Sequence, residues 1–132
     1  MNNFLNINIP GKPIGKQRAR KGKYGTWYNP QSDLVAITKN IIKNQLPENF
    51  KYISKNVPVI INICFYFKPT KSQKKIQNFD PYLKKCDVDN LSKFYLDCMS
   101  KLVFYDDNQV FSQKLLKQYY LPKEYTLIEI IW

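Results

Sequence analysis

The stretch VPVIINICFYF, residues 57–67, narrows the folds open to this chain more than any other feature. It is rich in β-branched and aromatic residues, which favour strands. It is also far short of the roughly 20 residues needed to cross a bilayer. Its nearly unbroken apolarity predicts a central strand buried on both faces. Such a strand needs neighbours, and the rest of the chain offers them. FLNINI (4–9) alternates apolar and polar residues and reads as a first strand. VFSQKLLKQYYL (110–121) and YTLIEIIW (125–132) read as two more, joined as a hairpin at Pro122-Lys123. TWYNP (26–30) is a short extended piece.

Two helices complete the set. Leu34, Ile37, Ile41, Ile42 and Leu46 recur at helical spacing, so a helix capped by Asn29 or Ser32 should bury that face and stop at Pro47. A second should open at Asp87 or Asp89 and reach about Lys101, burying Leu91, Tyr95, Cys98 or Met99, and Leu102. Between these elements lie a glycine-rich basic segment (10–25) and a long, lysine-rich loop (68–86) of the kind that is usually functional or disordered. The expected architecture is α/β (α+β): a single domain over residues 1–132 with a mixed β-sheet and two main helices.

Absences narrow the chemistry. The chain contains no histidine, which removes Ser-His and Cys-His nucleophiles and zinc-hydrolase motifs. Cys64, Cys86 and Cys98 are an odd count with no CxxC spacing, arguing against a disulfide framework or a zinc site. No signal-peptide layout opens the chain, so a soluble, cytoplasmic protein with no membrane contact is expected.

Charge is unevenly distributed. Residues 1–86 hold 16 Lys/Arg against 3 Asp/Glu, whereas residues 87–132 hold 5 against 7, for a net +11. A basic body with an acidic focus suits a protein that binds a polyanion around a carboxylate site. One candidate patch is Lys12, Lys16, Arg18, Arg20, Lys21 and Lys23. A second comprises Lys68, Lys71, Lys74, Lys75, Lys84 and Lys85, interleaved by Phe79 and Tyr82, which could stack on exposed bases.

The acids form two groups: Asp87 and Asp89 in DVDN, and Asp106 and Asp107 in YDDN. Helix capping and turn formation explain one Asp in each group. The second Asp is unexplained, since adjacent like charges repel. A divalent cation offsets that crowding: Mg2+ prefers oxygen ligands and a few carboxylates. Lys93 lies four residues beyond Asp89, on the same helical face, and Asp97 continues the line.

CDVDNLSKFYLDCM, FYDDNQV and the strand FSQKLLKQYY together resemble the RusA family of Holliday junction resolvases, whose pattern is D-x-D-N-L-x-K followed by D-D-x-Q-V. The opening GKPIGKQRAR and YGTWYNP are similar to that family's G-x-P, R-x-R and Tyr-x-Pro pattern. The resemblance implies a homodimeric endodeoxyribonuclease that cuts four-way DNA junctions by paired, symmetric nicks. It implies Mg2+ as cofactor, with Mn2+ as a substitute. By the same resemblance Asp87, Asp89 and Asp107 are the catalytic metal-binding aspartates, Asp106 ranks below Asp107, and Lys93 is the functional lysine. Cys86 stands where many members carry proline, a change expected to alter loop stiffness. Water activated at the metal would attack the phosphorus, leaving a 5′-phosphate and a 3′-hydroxyl. Two alternatives stay open: a non-catalytic nucleic-acid-binding module, and a structure-specific nuclease acting on other branched DNA.

Overall fold

The computed structural model describes residues 1–132. In chain order the elements are β1 (Phe4–Pro10), β2 (Arg20–Lys21), β3 (Trp27–Tyr28), α1 (Ser32–Lys43), β4 (Val59–Phe67), α2 (Val88–Met99), a 3-10 turn (Asp107–Gln109), β5 (Val110–Tyr119) and β6 (Tyr125–Ile131). β1, β6, β4 and β5 lie side by side in that order, with β4 antiparallel to β6 and parallel to β5. The expected mixed sheet with two helices is present.

Register explains the core. Leu5 pairs with Ile130 and Ile130 with Ile61; Ile7 pairs with Ile128 and Ile128 with Ile63. These rungs all fall on one face and are buried. Each fully buried aliphatic side chain contributes about 1.5–3 kcal/mol relative to exposure. α2 packs against β5 and α1, and α1 against β1.

The structure corrects four expectations. β4 is central but alternates: Val59, Ile61, Ile63, Phe65 and Phe67 are buried, whereas Ile60, Asn62, Cys64 and Tyr66 are only half-buried. Both helices cover the same face, and on the other Asn62 Nδ2 donates to Glu129 Oε1 at 2.8 Å. β5 and β6 do not form a hairpin, because β4 lies between them. The most apolar strand takes the centre, and the 120–124 connection passes its end, where the Tyr120 N–H donates to the Phe67 carbonyl at 2.8 Å.

α1 buries Thr38 and Ile42, leaving Leu34 and Ile37 exposed. Its cap position is occupied by Gln31, and neither Asn29 nor Ser32 makes a side-chain capping bond; Asn29 Oδ1 instead accepts from the Gln31 N–H. α2 is enclosed far beyond a single stripe. Leu91, Ser92, Phe94, Tyr95, Leu96, Cys98 and Met99 are all buried, and the helix ends at Met99, short of Lys101. Within α2 only Asp89, Lys93 and Asp97 remain exposed, at positions i, i+4 and i+8.

Candidate active site

The mouth of α2 combines a free carboxylate with a constrained backbone. Asp87 occupies the helix N-cap position in extended conformation, yet its side chain makes no capping hydrogen bond. The carboxylate is therefore unspent, unlike that of an ordinary cap. Cys86, just before it, has φ 97°, the left-handed region that few non-glycine residues adopt. Proline, whose ring holds φ near −65°, cannot adopt that conformation. The expected effect of replacing proline by Cys86 therefore extends from stiffness to backbone path.

Two polar side chains on the covered face of β5 hold this end of α2. Gln113 and Lys117 pair with Ile61 and Phe65 of β4, so both point towards the helices. Ser92 Oγ donates to Gln113 Oε1 at 2.7 Å. Lys117 Nζ donates to the carbonyls of Lys84 and Cys86 at 3.1 and 3.0 Å.

The N-terminal basic segment is laced to the same helix. The Ile14 N–H donates to the Tyr95 hydroxyl at 2.9 Å, and the Lys16 N–H to the Asn90 carbonyl at 3.1 Å. Burial pushes the Tyr95 hydroxyl above its usual pKa, which keeps it neutral in this role. Gln31, nearly fully buried, gives its Nε2 hydrogen to the Gly15 carbonyl and accepts from the Gln17 N–H. Gly15 sits so close that an added Cβ would collide with the Cys86 sulfur and come within 2.9 Å of Asn90 Nδ2.

Together these contacts wall a cleft of about 880 Å3. Asp87, Asp89 and Lys93 line it together with Lys12, Lys84 and Lys85, and Phe67 and Tyr82 form an apolar wall. Tyr82 stacks on Phe67 with ring centroids 3.8 Å apart. Lys93 Nζ lies 3.4 Å from Asp89 Oδ2. Both groups are well exposed, so the pair stabilises the fold little.

Asp107 is placed elsewhere and does not line that cleft. It begins the 3-10 turn after α2, beside Asp106. A hydrogen bond with the Asp106 carboxyl pushes the Asp107 pKa up, reinforced by partial burial and the charges of Asp106 and Asp97, with Lys16 opposing. Asp106 is held low by the bond from the Asn108 N–H and by the bond with Asp107. Asp106 is a true cap: its side chain accepts from Asn108, and Gln109 closes a capping box. Gln109 also gives its Nε2 hydrogens to the carbonyls of Ser54 and Val57 at 2.6 and 3.0 Å.

Asp97, not assigned a role from the sequence, lies near enough to this second group for its charge to add to the rise at Asp107. It forms an ion pair with Lys16. Asp89 and Asp97 are eight residues apart, about 12 Å along the helix. The structure thus orders the charges as a strip along α2, from Asp89 through Lys93 to Asp97. No three Asp, Glu or Cys side chains converge as a ready metal cage. Asp87, whose carboxylate caps nothing, and Asp89, paired only with exposed Lys93, share one cleft and nevertheless suit a divalent cation that takes one or two carboxylates plus substrate phosphate oxygens.

The remaining basic residues separate into two sets. Arg18, Arg20, Lys21 and Lys23 are exposed on and around the β2–β3 ribbon. Lys71, Lys74 and Lys75 are exposed on the long loop, away from the cleft. Phe79, on that loop, is exposed and lies parallel to Tyr120 with centroids 6.1 Å apart.

Residues 10–130 match the protein family described as Endodeoxyribonuclease RusA. The chain belongs to the RusA family. No curated protein matches it. Because the match reaches from the basic segment through β6, the RusA assignment covers the cleft, its lysine wall and the Asp106–Asp107 turn. RusA proteins are endodeoxyribonucleases acting in Holliday junction resolution, and their divalent-metal dependence agrees with the two aspartate carboxylates of the cleft. No helix here is long and apolar enough to cross a membrane.

Proposed function

We propose that this RusA-family chain is a Mg2+-dependent homodimeric endonuclease that resolves four-way DNA junctions by paired, symmetric nicks. The observation that carries the reading is Asp87: an aspartate at a helix N-cap whose carboxylate caps nothing and faces a lysine-lined cleft with Asp89. A helix N-terminus also favours anionic groups, so the scissile phosphate is drawn to the same place.

Asp87 and Asp89 would hold the cation, with Mn2+ as a substitute. Asp107 is retained as a third carboxylate, supported by its crowding against Asp106, which a cation would relieve. When bound, the ion would offset phosphate charge and lower the pKa of attacking water. Lys12, Lys84 and Lys85 would orient the DNA backbone through its phosphates. Lys93 would be released from Asp89 to meet the negative charge developing on the phosphoryl oxygens. Two copies related by a two-fold axis would present two such clefts to opposed strands of a two-fold junction.

The direct test is incubation of the purified protein with a synthetic four-way junction and a matched linear duplex, in Mg2+, in Mn2+ and in EDTA. Paired nicks in the junction alone, requiring metal, support the proposal. Binding without cutting in either metal points to a nucleic-acid-binding module. Cutting of flaps or forks in preference to four-way junctions points to a nuclease for other branched DNA.

A further inference from the structure

Beyond the cleft, the β2–β3 ribbon carries a second set of nucleic-acid groups. Arg20 pairs with Tyr28 and Lys21 with Trp27. Directly opposed residues share a face, so each face of the ribbon presents one ring and one cation. Both rings are open to solvent, with Trp27 66 % and Tyr28 50 % exposed, and Tyr24 in the turn is 90 % exposed. Three large aromatic side chains on one short ribbon are thus open to a partner.

The ribbon is firmly founded. Gln31 ties the Gly15 carbonyl and the Gln17 N–H, joining the segment that enters the ribbon to the one that leaves it. The turn is closed by the Gly22 N–H to the Thr26 carbonyl at 2.7 Å and by Gly25 at φ 80°. From Gln17 to Tyr24 the arm reaches at most about 23 Å, at the rise of an extended chain. Its foot, Lys16, is paired with Asp97 on the charged strip of α2.

Charge decides between two occupants. A second copy of the same ribbon would set Arg20, Lys21 and Lys23 against their own like charges. A partner that is polyanionic and also offers flat apolar faces removes that conflict, and DNA with unstacked bases is such a partner. Because both faces are equipped alike, the arm suits a space with DNA on two sides, not the outside of one duplex.

We infer that the β2–β3 ribbon inserts at the branch point of the DNA, stacking Trp27 and Tyr28 on bases exposed there while Arg20 and Lys21 meet the flanking phosphates. The inference rests on the reading of the chain as a branched-DNA nuclease, and it names the feature of the substrate that is recognised.

The protein has two tryptophans, and Trp132 packs edge-on against Phe50. In a Trp132→Phe variant Trp27 is the sole reporter. In EDTA, titration with a four-way junction should quench its fluorescence and shield it from acrylamide, and matched duplex should do so far less. In the otherwise native chain, Trp27→Ala with Tyr28→Ala should weaken junction binding about 100-fold relative to duplex, since each lost base stack costs about tenfold. Neither side chain belongs to the hydrophobic core, so the double variant keeps its fold.

Junction binding with Trp27 still open to acrylamide, or with an unchanged junction-to-duplex ratio, would overturn the ribbon's role and leave the nuclease reading intact. Shielding of Trp27 by rising protein concentration without DNA would assign the ribbon to a second copy. Absence of binding to any branched DNA would overturn both.

Discussion

Lys117 Nζ donates to the carbonyl oxygen of Cys86 at 3.0 Å, so a side chain of the edge strand fixes the backbone immediately before Asp87. It donates to the Lys84 carbonyl as well, and Cys86 is in the left-handed region. Lys117 therefore positions the cleft without lining it. Lys117→Met keeps the aliphatic stem and removes the donor. Single-turnover junction cleavage should fall by up to about 100-fold, the scale of a 1 Å displacement at a reacting centre. Junction affinity should change little. Equal losses in rate and affinity would mean that Lys117 contacts DNA instead.

Gln109 is the anchor of the second acidic group. Its side chain meets three backbone groups: the carbonyls of Ser54 and Val57 and the Asp106 N–H. Gln109→Ala removes three hydrogen bonds to partly buried backbone groups, which should lower stability by about 1–3 kcal/mol in urea unfolding. Gln109→Glu should also destabilise, because a carboxylate has no hydrogen to give to those carbonyls. Wild-type stability in both variants would show that the turn holds itself.

Close approach of Gly15 to Cys86 predicts a rescue. Gly15→Ala drives a methyl into the Cys86 sulfur and should reduce both stability and cleavage. Cys86→Gly removes that sulfur and suits the φ of 97°, so the double variant should recover most of the loss. Additive damage in the double variant, measured by thermal unfolding, would count against the packing described.

Acid crowding at the turn has a pH signature in the metal-free protein. Asp107 has a raised pKa, so it binds its proton more tightly in the fold than in the unfolded chain. That stabilisation is complete below the ordinary carboxylate value of 3.8 and is lost as pH rises through the folded value. Asp107→Asn has no such proton to lose, and its amide can still donate to Asp106. In EDTA its melting temperature should exceed wild type at neutral pH, with the gap closing as pH falls towards 3.8. A constant gap across that range would remove the crowding from the account.

Local patterns were legible in the sequence, and long-range connections were not. The run around Ile61 and Phe65 declared a central strand, and Asp87 a helix start, because both signals lie within a few residues. The α1 face was misread because Thr38, at the centre of the buried side, counts as polar, while Leu34 and Ile37 count as apolar wherever they point. The β5–β6 hairpin was inferred from a short connection, and nothing in five residues reveals that β4 lies between. Lys117 reads in isolation as an ordinary edge-strand lysine. Its partner carbonyls lie more than thirty residues earlier. Asp97 was within reach: its i+8 spacing from Asp89 already placed it on the exposed strip.

The proposed role of Asp87 is that its unspent carboxylate serves catalysis and not the helix. Single-turnover cleavage of a four-way junction by Asp87→Asn, with affinity and melting temperature measured on the same sample, tests it most directly. Cutting in Mg2+ should be abolished, junction affinity kept, and stability held within about 0.5 kcal/mol of wild type, as for a surface change that breaks no hydrogen bond. An Asp87→Asn protein that still nicks the junction at the wild-type rate would contradict it.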